Sequence, residues 1–126
     1  MLDGSRTFAS FAVDDVAKAR DFYGQTLGLD VATLDEENGL LELRHGESRN
    51  TLIYQKPDFV PATYTILNFA VDDVDSAVDD LSSRGIRFER YDGFDQDEKG
   101  IARGAGPDIA WFKDPAGNVL SVLKQG

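Results

Sequence analysis

The hexapeptide Phe11-Ala12-Val13-Asp14-Asp15-Val16 returns unchanged as Phe69-Ala70-Val71-Asp72-Asp73-Val74, 58 residues later in a chain of 126. The register extends beyond it: Ser10 falls on Asn68 and Ala19 on Ala77, while Gly28 falls one residue off Gly85. Similarity over half a chain restricts the fold to architectures that use one supersecondary unit twice. We expect a single domain of two repeats, about residues 5–56 and 63–125. Between them runs Lys56-Pro57-Asp58-Phe59-Val60-Pro61-Ala62, whose two prolines favour stiff, extended chain. Any site is expected where the copies meet.

Each copy reads as a strand, a helix and further strands. Thr7 to Val13 alternates, with Ala9, Phe11 and Val13 on one face and Phe8, Ser10 and Ala12 on the other. Asp14 or Asp15 then caps a helix whose core stripe is Val16, Ala19, Tyr23 and Leu27, stopped by Gly28. In the second copy Leu67, Phe69 and Val71 alternate with Ile66, Asn68 and Ala70. Asp72 or Asp73 caps, Val74, Ala77, Val78 and Leu81 form the stripe, and Gly85 stops the helix. Strands are predicted at 30–35, 40–45 and 51–55 in the first half, with an Asn38-Gly39 turn between the first two. In the second half they are predicted at 86–91, 108–113 and 119–123, the last two joined by Asp114-Pro115-Ala116-Gly117-Asn118.

Charge and composition exclude some functions. The net charge of −10, from 23 acidic and 13 basic residues, repels nucleic acid and anionic membrane surfaces. No apolar run approaches the roughly 20 residues that cross a bilayer, and no signal-peptide pattern opens the chain. Without cysteine there is no disulfide framework and no thiolate, so a cytoplasmic location is the expectation.

The residues Val13-Asp14-Asp15-Val16, Asp21-Phe22-Tyr23 and Leu27-Gly28-Leu29, with the closing Trp111-Phe112-Lys113-Asp114-Pro115-Ala116-Gly117-Asn118-Val119-Leu120, resemble the vicinal oxygen chelate superfamily. That superfamily includes glyoxalase I, bleomycin-resistance proteins and extradiol dioxygenases. The resemblance spans essentially the whole chain. It implies an α+β fold: two βαβββ modules forming a curved, partly open, barrel-like mixed sheet with the helices outside. These motifs describe caps, core stripes and turns, so function has to be argued apart from fold.

The resemblance also implies where a metal would sit, and this chain departs from the pattern there. The first-strand ligand positions hold Phe8 and Ile66, and the position after the Asp-Pro-x-Gly-Asn turn holds Ser121. The matching place in the first copy falls near Leu52 or Tyr54. Divalent metals need converging imidazole, carboxylate or thiolate donors, and His45 is the single histidine. The expectation is therefore no metal and no cofactor. His45, beside Gly46-Glu47-Ser48, reads as a rim residue.

What the resemblance leaves is a concave pocket lined by Phe8, Ser10, Tyr54, Ile66, Asn68, Trp111 and Ser121. Such a lining suits an organic ligand held by burial and a few hydrogen bonds. The acidic charge and the aromatic walls suggest a cationic or aromatic molecule. Arg44 should point opposite to Leu41 and Leu43, into solvent or the pocket. The polar stretch 94–106 is either a lid or a loose connection, and Gly104-Ala105-Gly106 lacks the Lys-Ser/Thr of a phosphate loop. The leading expectation is a metal-independent small-molecule binder, resembling the drug-sequestering branch and forming a homodimer. An alternative is a divergent metalloenzyme using Glu42, His45 or Glu89. A third is a dimerisation module whose cavity is filled by Phe8 and Ile66.

Overall fold

The computed structural model describes residues 1–47, 49–104 and 106–125. Ser48, beside the rim histidine, Ala105, inside the glycine-rich stretch, and Gly126 lie outside the described residues. The chain divides into two compact units, Met1–Pro61 and Ala62–Gly126.

The first unit contains β1 (Ser10–Val13), α1 (Val16–Asp21), β2 (Asp30–Asp35), β3 (Leu40–Arg44) and β4 (Thr51–Gln55). The sheet order is β1-β4-β3-β2, with β1 parallel to β4 and the other pairs antiparallel. β1 is shorter than the predicted 7–13, although Leu52 N still donates to Ala9 O at 3.0 Å just ahead of it. The aspartate that caps α1 is Asp15, which accepts from the Ala17 and Lys18 amides. A second cap comes from the sheet: Gln55 Oε1 accepts from Val16 N at 3.1 Å.

Helix α1 packs on β3 and β4, covering the face that carries Val13, Leu41, Leu43 and Ile53. These four, Ala19 and Tyr23 are buried. After Asp21 the backbone widens into a π turn, Phe22–Thr26, with Leu27 N donating to Phe22 O. The wider turn rotates the predicted stripe, so Tyr23 is fully buried against Phe11 and Phe22, whereas Leu27 is only half-buried.

The second unit contains β5 (Thr65–Val71), α2 (Val74–Ser83), β6 (Ile109–Lys113) and β7 (Val119–Lys124), in sheet order β5-β7-β6. β5 runs parallel to β7, as β1 does to β4. Asp73 caps α2 by accepting from Ser76 N, and Gly85 follows the helix at φ 91°. Phe69 stacks on Phe112, and Phe88 meets Phe112 edge-on. The β6–β7 turn is closed by Asp114, which accepts from the backbone amide and the side-chain amide of Asn118 at 2.8 and 3.1 Å.

The predicted strand 86–91 does not form as a strand. Phe88 makes an isolated bridge to Phe112, and Glu89 N donates to Trp111 O at 2.8 Å. Gln96 captures the next backbone groups: its Oε1 accepts from Tyr91 N and its Nε2 donates to Glu89 O and Gly100 O. The polar stretch is accordingly anchored from Gln96 to Arg103. The Asp97 carboxylate accepts from the Lys99 and Ile101 amides, and Arg103 joins Asp75 of α2, Asp97 and Asp108 at 2.9–3.2 Å.

Candidate functional site

Registers within each sheet place the predicted site residues. In the first unit Ser10 pairs with Leu52, Ala12 with Tyr54, Glu42 with Leu52 and Leu40 with Tyr54. Aligned residues share a face, so these side chains lie together opposite the face covered by α1. The register also decides between the two family-implied positions on β4: Leu52, opposite Ser10, matches Ser121, opposite Asn68.

A cavity of about 620 Å³ opens in this unit, walled by apolar Phe8, Leu34 and Leu52 and by polar Ser5, Glu42, Glu47, Arg49, Asn50 and Thr51. Three local features build it. Phe8 precedes β1 and is 63% exposed, at the cavity wall. Leu34 is the extra residue of a β-bulge, since Thr33 pairs with Leu41 but Asp35 pairs with Leu40. The bulge turns a leucine, 51% exposed, toward the cavity. Arg49 Nε donates to Ser5 O at 3.1 Å, tying the N-terminal segment to the 45–50 turn. Sequence reasoning missed Leu34, because strict alternation has no place for a bulged residue.

The cavity's charges nearly cancel. Glu42 is paired with Arg44 at 3.0 Å, and Glu47 faces the cavity together with Arg49. Arg44 is exposed and on the face opposite Leu41 and Leu43. His45 is exposed, its Nε2 2.7 Å from Thr51 Oγ1 and its backbone amide donating to Asn50 Oδ1. Nothing in this charge arrangement selects a cation.

In the second unit Trp111 pairs with Ser121, and Ser121 with Asn68, so the three share one face of that sheet. Ser121 is fully buried and donates to Asn68 Oδ1 at 2.5 Å. Trp111, 9% exposed, is covered by Tyr91 and Phe94 with ring centroids at 5.5 and 5.0 Å. Ile66 falls at the register irregularity between Thr65 and Leu67. The seven predicted residues thus form two groups: Phe8, Ser10 and Tyr54 in one unit, and Ile66, Asn68, Trp111 and Ser121 in the other.

The sequence pattern of the Glyoxalase/Bleomycin resistance protein/Dioxygenase superfamily matches residues 7–122. The chain belongs to this superfamily. A Bacillus subtilis (strain 168) relative, the uncharacterized protein YraH, is 27% identical over 124 residues, covering 89% of this chain and 91% of its own. Among solved structures, TnmS3, an antibiotic binding protein from Streptomyces sp. CB03234, superposes with TM-score 0.72 at 24% identity, over 99% of this chain and all of that one. A superfamily member from Sphaerobacter thermophilus DSM 20745 gives 0.69 at 25% identity over 94% of both chains. These likenesses establish the α+β fold.

The superfamily's metal chemistry is not matched by this donor set. Phe8, Leu52 and Ile66 carry no lone pair, and the Ser121 hydroxyl is spent on Asn68. Among the described residues no three His, Asp or Glu side chains converge to hold an ion. Of the alternative ligands, Glu42 pairs with Arg44, His45 meets Thr51, and Glu89 lies 3.6 Å from Lys113. Among the described residues no helix is long and apolar enough to cross a membrane.

Proposed function

We propose that this protein binds a small aromatic molecule on the open face of its first sheet and holds it without a metal. The observation that carries the reading is the roughly 620 Å³ cavity walled by Phe8, Leu34 and Leu52, a volume suited to a drug-sized ligand. Exposed apolar side chains around a concavity gain by being covered, and Ser5, Asn50 and Arg49 supply orienting hydrogen bonds. That TnmS3 binds an antibiotic supports the same ligand class on this fold. Sequestration, rather than turnover, is the activity such a lining favours.

The reading includes a two-fold homodimer in the cytoplasm. β1 and β5 are edge strands of their sheets, and an edge strand offers unpaired backbone groups to another chain. Native mass spectrometry reads both points: a dimer carrying an organic adduct supports the proposal. A monomer, or a stoichiometric transition metal, counts against it. For the ligand, equilibrium dialysis against planar aromatic antibiotics should find binding that Leu52→Arg abolishes by driving a charged side chain into the cavity. Absence of binding across the panel, or binding unchanged in Leu52→Arg, refutes the proposal.

A further inference from the structure

The long segment after α2 carries one ring whose position the rest of that segment does not explain. From Glu89 to Ile101 the backbone is anchored by the Gln96 amide, by the Asp97 carboxylate and by Arg90, whose guanidinium donates to Asp97 O and Glu98 O. Phe94 takes no part in that anchoring. A tight turn, with Phe94 N to Tyr91 O at 3.4 Å and Gly93 at φ 91°, brings its ring back over Trp111.

The contact is close but tilted, with ring centroids 5.0 Å apart. The two rings meet at 58°, between the stacked and perpendicular geometries that aromatic pairs favour, and Phe94 remains 54% exposed. A χ1 rotation suffices to lift the ring off while the anchored backbone stays in place. Beside it, Tyr91 Oη is buried and has no hydrogen-bond partner among the described residues. A buried hydroxyl without a partner is costly and calls for one. Burial, and secondarily the charge of Glu89, hold the phenol above its ordinary pKa, so at neutral pH it can both donate and accept.

The charge around this corner differs from that of the cavity in the first unit. Asp97 and Asp108 are neutralised by Arg103, but Asp92 and Asp95, exposed on either side of Gly93-Phe94, enter no ion pair among the described residues. An indole face, an unpartnered phenol and two uncompensated carboxylates together match one chemistry. We infer that Trp111 is the floor of a stacking site for a planar aromatic cation bearing an N–H donor, that Phe94 is its removable plug, and that Tyr91 Oη accepts the ligand's N–H. Indole is the strongest ring partner for a cation, and desolvation under the ligand strengthens the attraction. The inference goes beyond the small-molecule reading by assigning a separate, cation-preferring site to this corner.

The probes are 4-aminoquinoline, cationic at neutral pH, and 4-hydroxyquinoline, a neutral molecule of the same size. Trp111 is the sole tryptophan, so its emission reports occupancy of this corner directly. Titration of the full-length protein should show the cation binding with a change in Trp111 emission and the neutral analogue binding at least tenfold more weakly. Phe94→Ala, at an exposed position, should tighten the cation about tenfold by removing the competitor. Tyr91→Phe should weaken it about fivefold, and Asp92→Asn with Asp95→Asn should erase the preference over the neutral analogue. No binding, equal binding of the two probes, or weaker binding by Phe94→Ala would overturn the inference. Binding that leaves Trp111 emission unchanged but is lost in Leu52→Arg would also overturn it, while leaving the first-unit cavity as the ligand site.

Discussion

Gly39 gives the sharpest test of the packing argument. It adopts φ +69°, and a Cβ built there would lie 2.8 Å from Gln55 Cβ, with Val16 Cγ1 next at 3.7 Å. A clash with a Cβ is not relieved by a rotamer change, because that atom moves only with the backbone. Gln55 is also the residue whose Oε1 caps Val16 N, so pushing β4 away loosens the helix start. Gly39→Ala therefore carries two costs: about 1–2 kcal/mol for the left-handed conformation, and about 1–3 kcal/mol for overpacking. Gly46 separates them, since it lies in the same unit at φ +71° with nothing within 4 Å of its Cβ. Gly46→Ala should lose only the first cost. With urea m-values of about 1–3 kcal/mol/M, the Gly39→Ala midpoint should fall about 1 M further than that of Gly46→Ala. Equal midpoints would refute the close approach of the 36–39 turn to β4.

Four further outcomes follow from the same contacts. Asp114→Ala removes a buried acceptor from two Asn118 donors and should cost about 2–4 kcal/mol in urea unfolding, with Asp114→Asn recovering part of it. Phe112→Ala empties a fully buried ring site shared with Phe69 and Phe88 and should cost about 3–5 kcal/mol by the same assay. Phe8→Ala, by contrast, should leave the urea midpoint unchanged, yet weaken aromatic ligand binding in the cavity about tenfold, read by calorimetry. Burial pushes the Asp97 carboxyl up, but the Ile101 and Lys99 amides and Arg103 outweigh it and hold the group below the ordinary 3.8. Its folded pKa is depressed, so its stabilisation is fully present above pH 4 and is lost as pH falls below that. Amide exchange of Ile101 should accelerate in acid beyond the trend of other amides, and Asp97→Asn should abolish that excess.

The sequence made much of this structure legible where one local signal had one physical meaning. The two Asp-Asp-Val steps announced capped helices, and Asp15 and Asp73 are the residues that cap. The Asp114–Asn118 turn was readable because its proline and glycine leave few backbone choices. Strand parity assigned Trp111 to a face only once its register with Ser121 was known, since a shift by one residue reverses a face. Three features lay beyond reach. The Leu34 bulge and the π turn at Phe22–Thr26 each insert a residue into a regular period, and nothing local marks the insertion. The lost strand at 86–91 depends on one glutamine's amide competing with a backbone ladder from five residues away. Composition gives a total charge of −10 but not its placement: in the first-unit cavity Glu42 is paired with Arg44, and Glu47 shares the wall with Arg49.

Ser121, at a position where the superfamily resemblance implies a metal ligand, finds its partner instead in Asn68 on the neighbouring strand. A buried hydroxyl and an amide on adjacent parallel strands would each need a partner, and a metal is one way to supply it. Here the 2.5 Å bond between them satisfies the serine internally. Converting Ser121 to Glu would restore a carboxylate at the implied ligand position, but its neighbours on the sheet would still be Asn68 and Trp111. One carboxylate without imidazole partners gives a weak, open set of donors. Ser121→Glu should therefore leave zinc and nickel affinity at the level of the unmodified chain by calorimetry, while lowering stability through an uncompensated buried charge. Tight stoichiometric metal binding by that variant would mean that ligands converge on this strand which the donor accounting has missed.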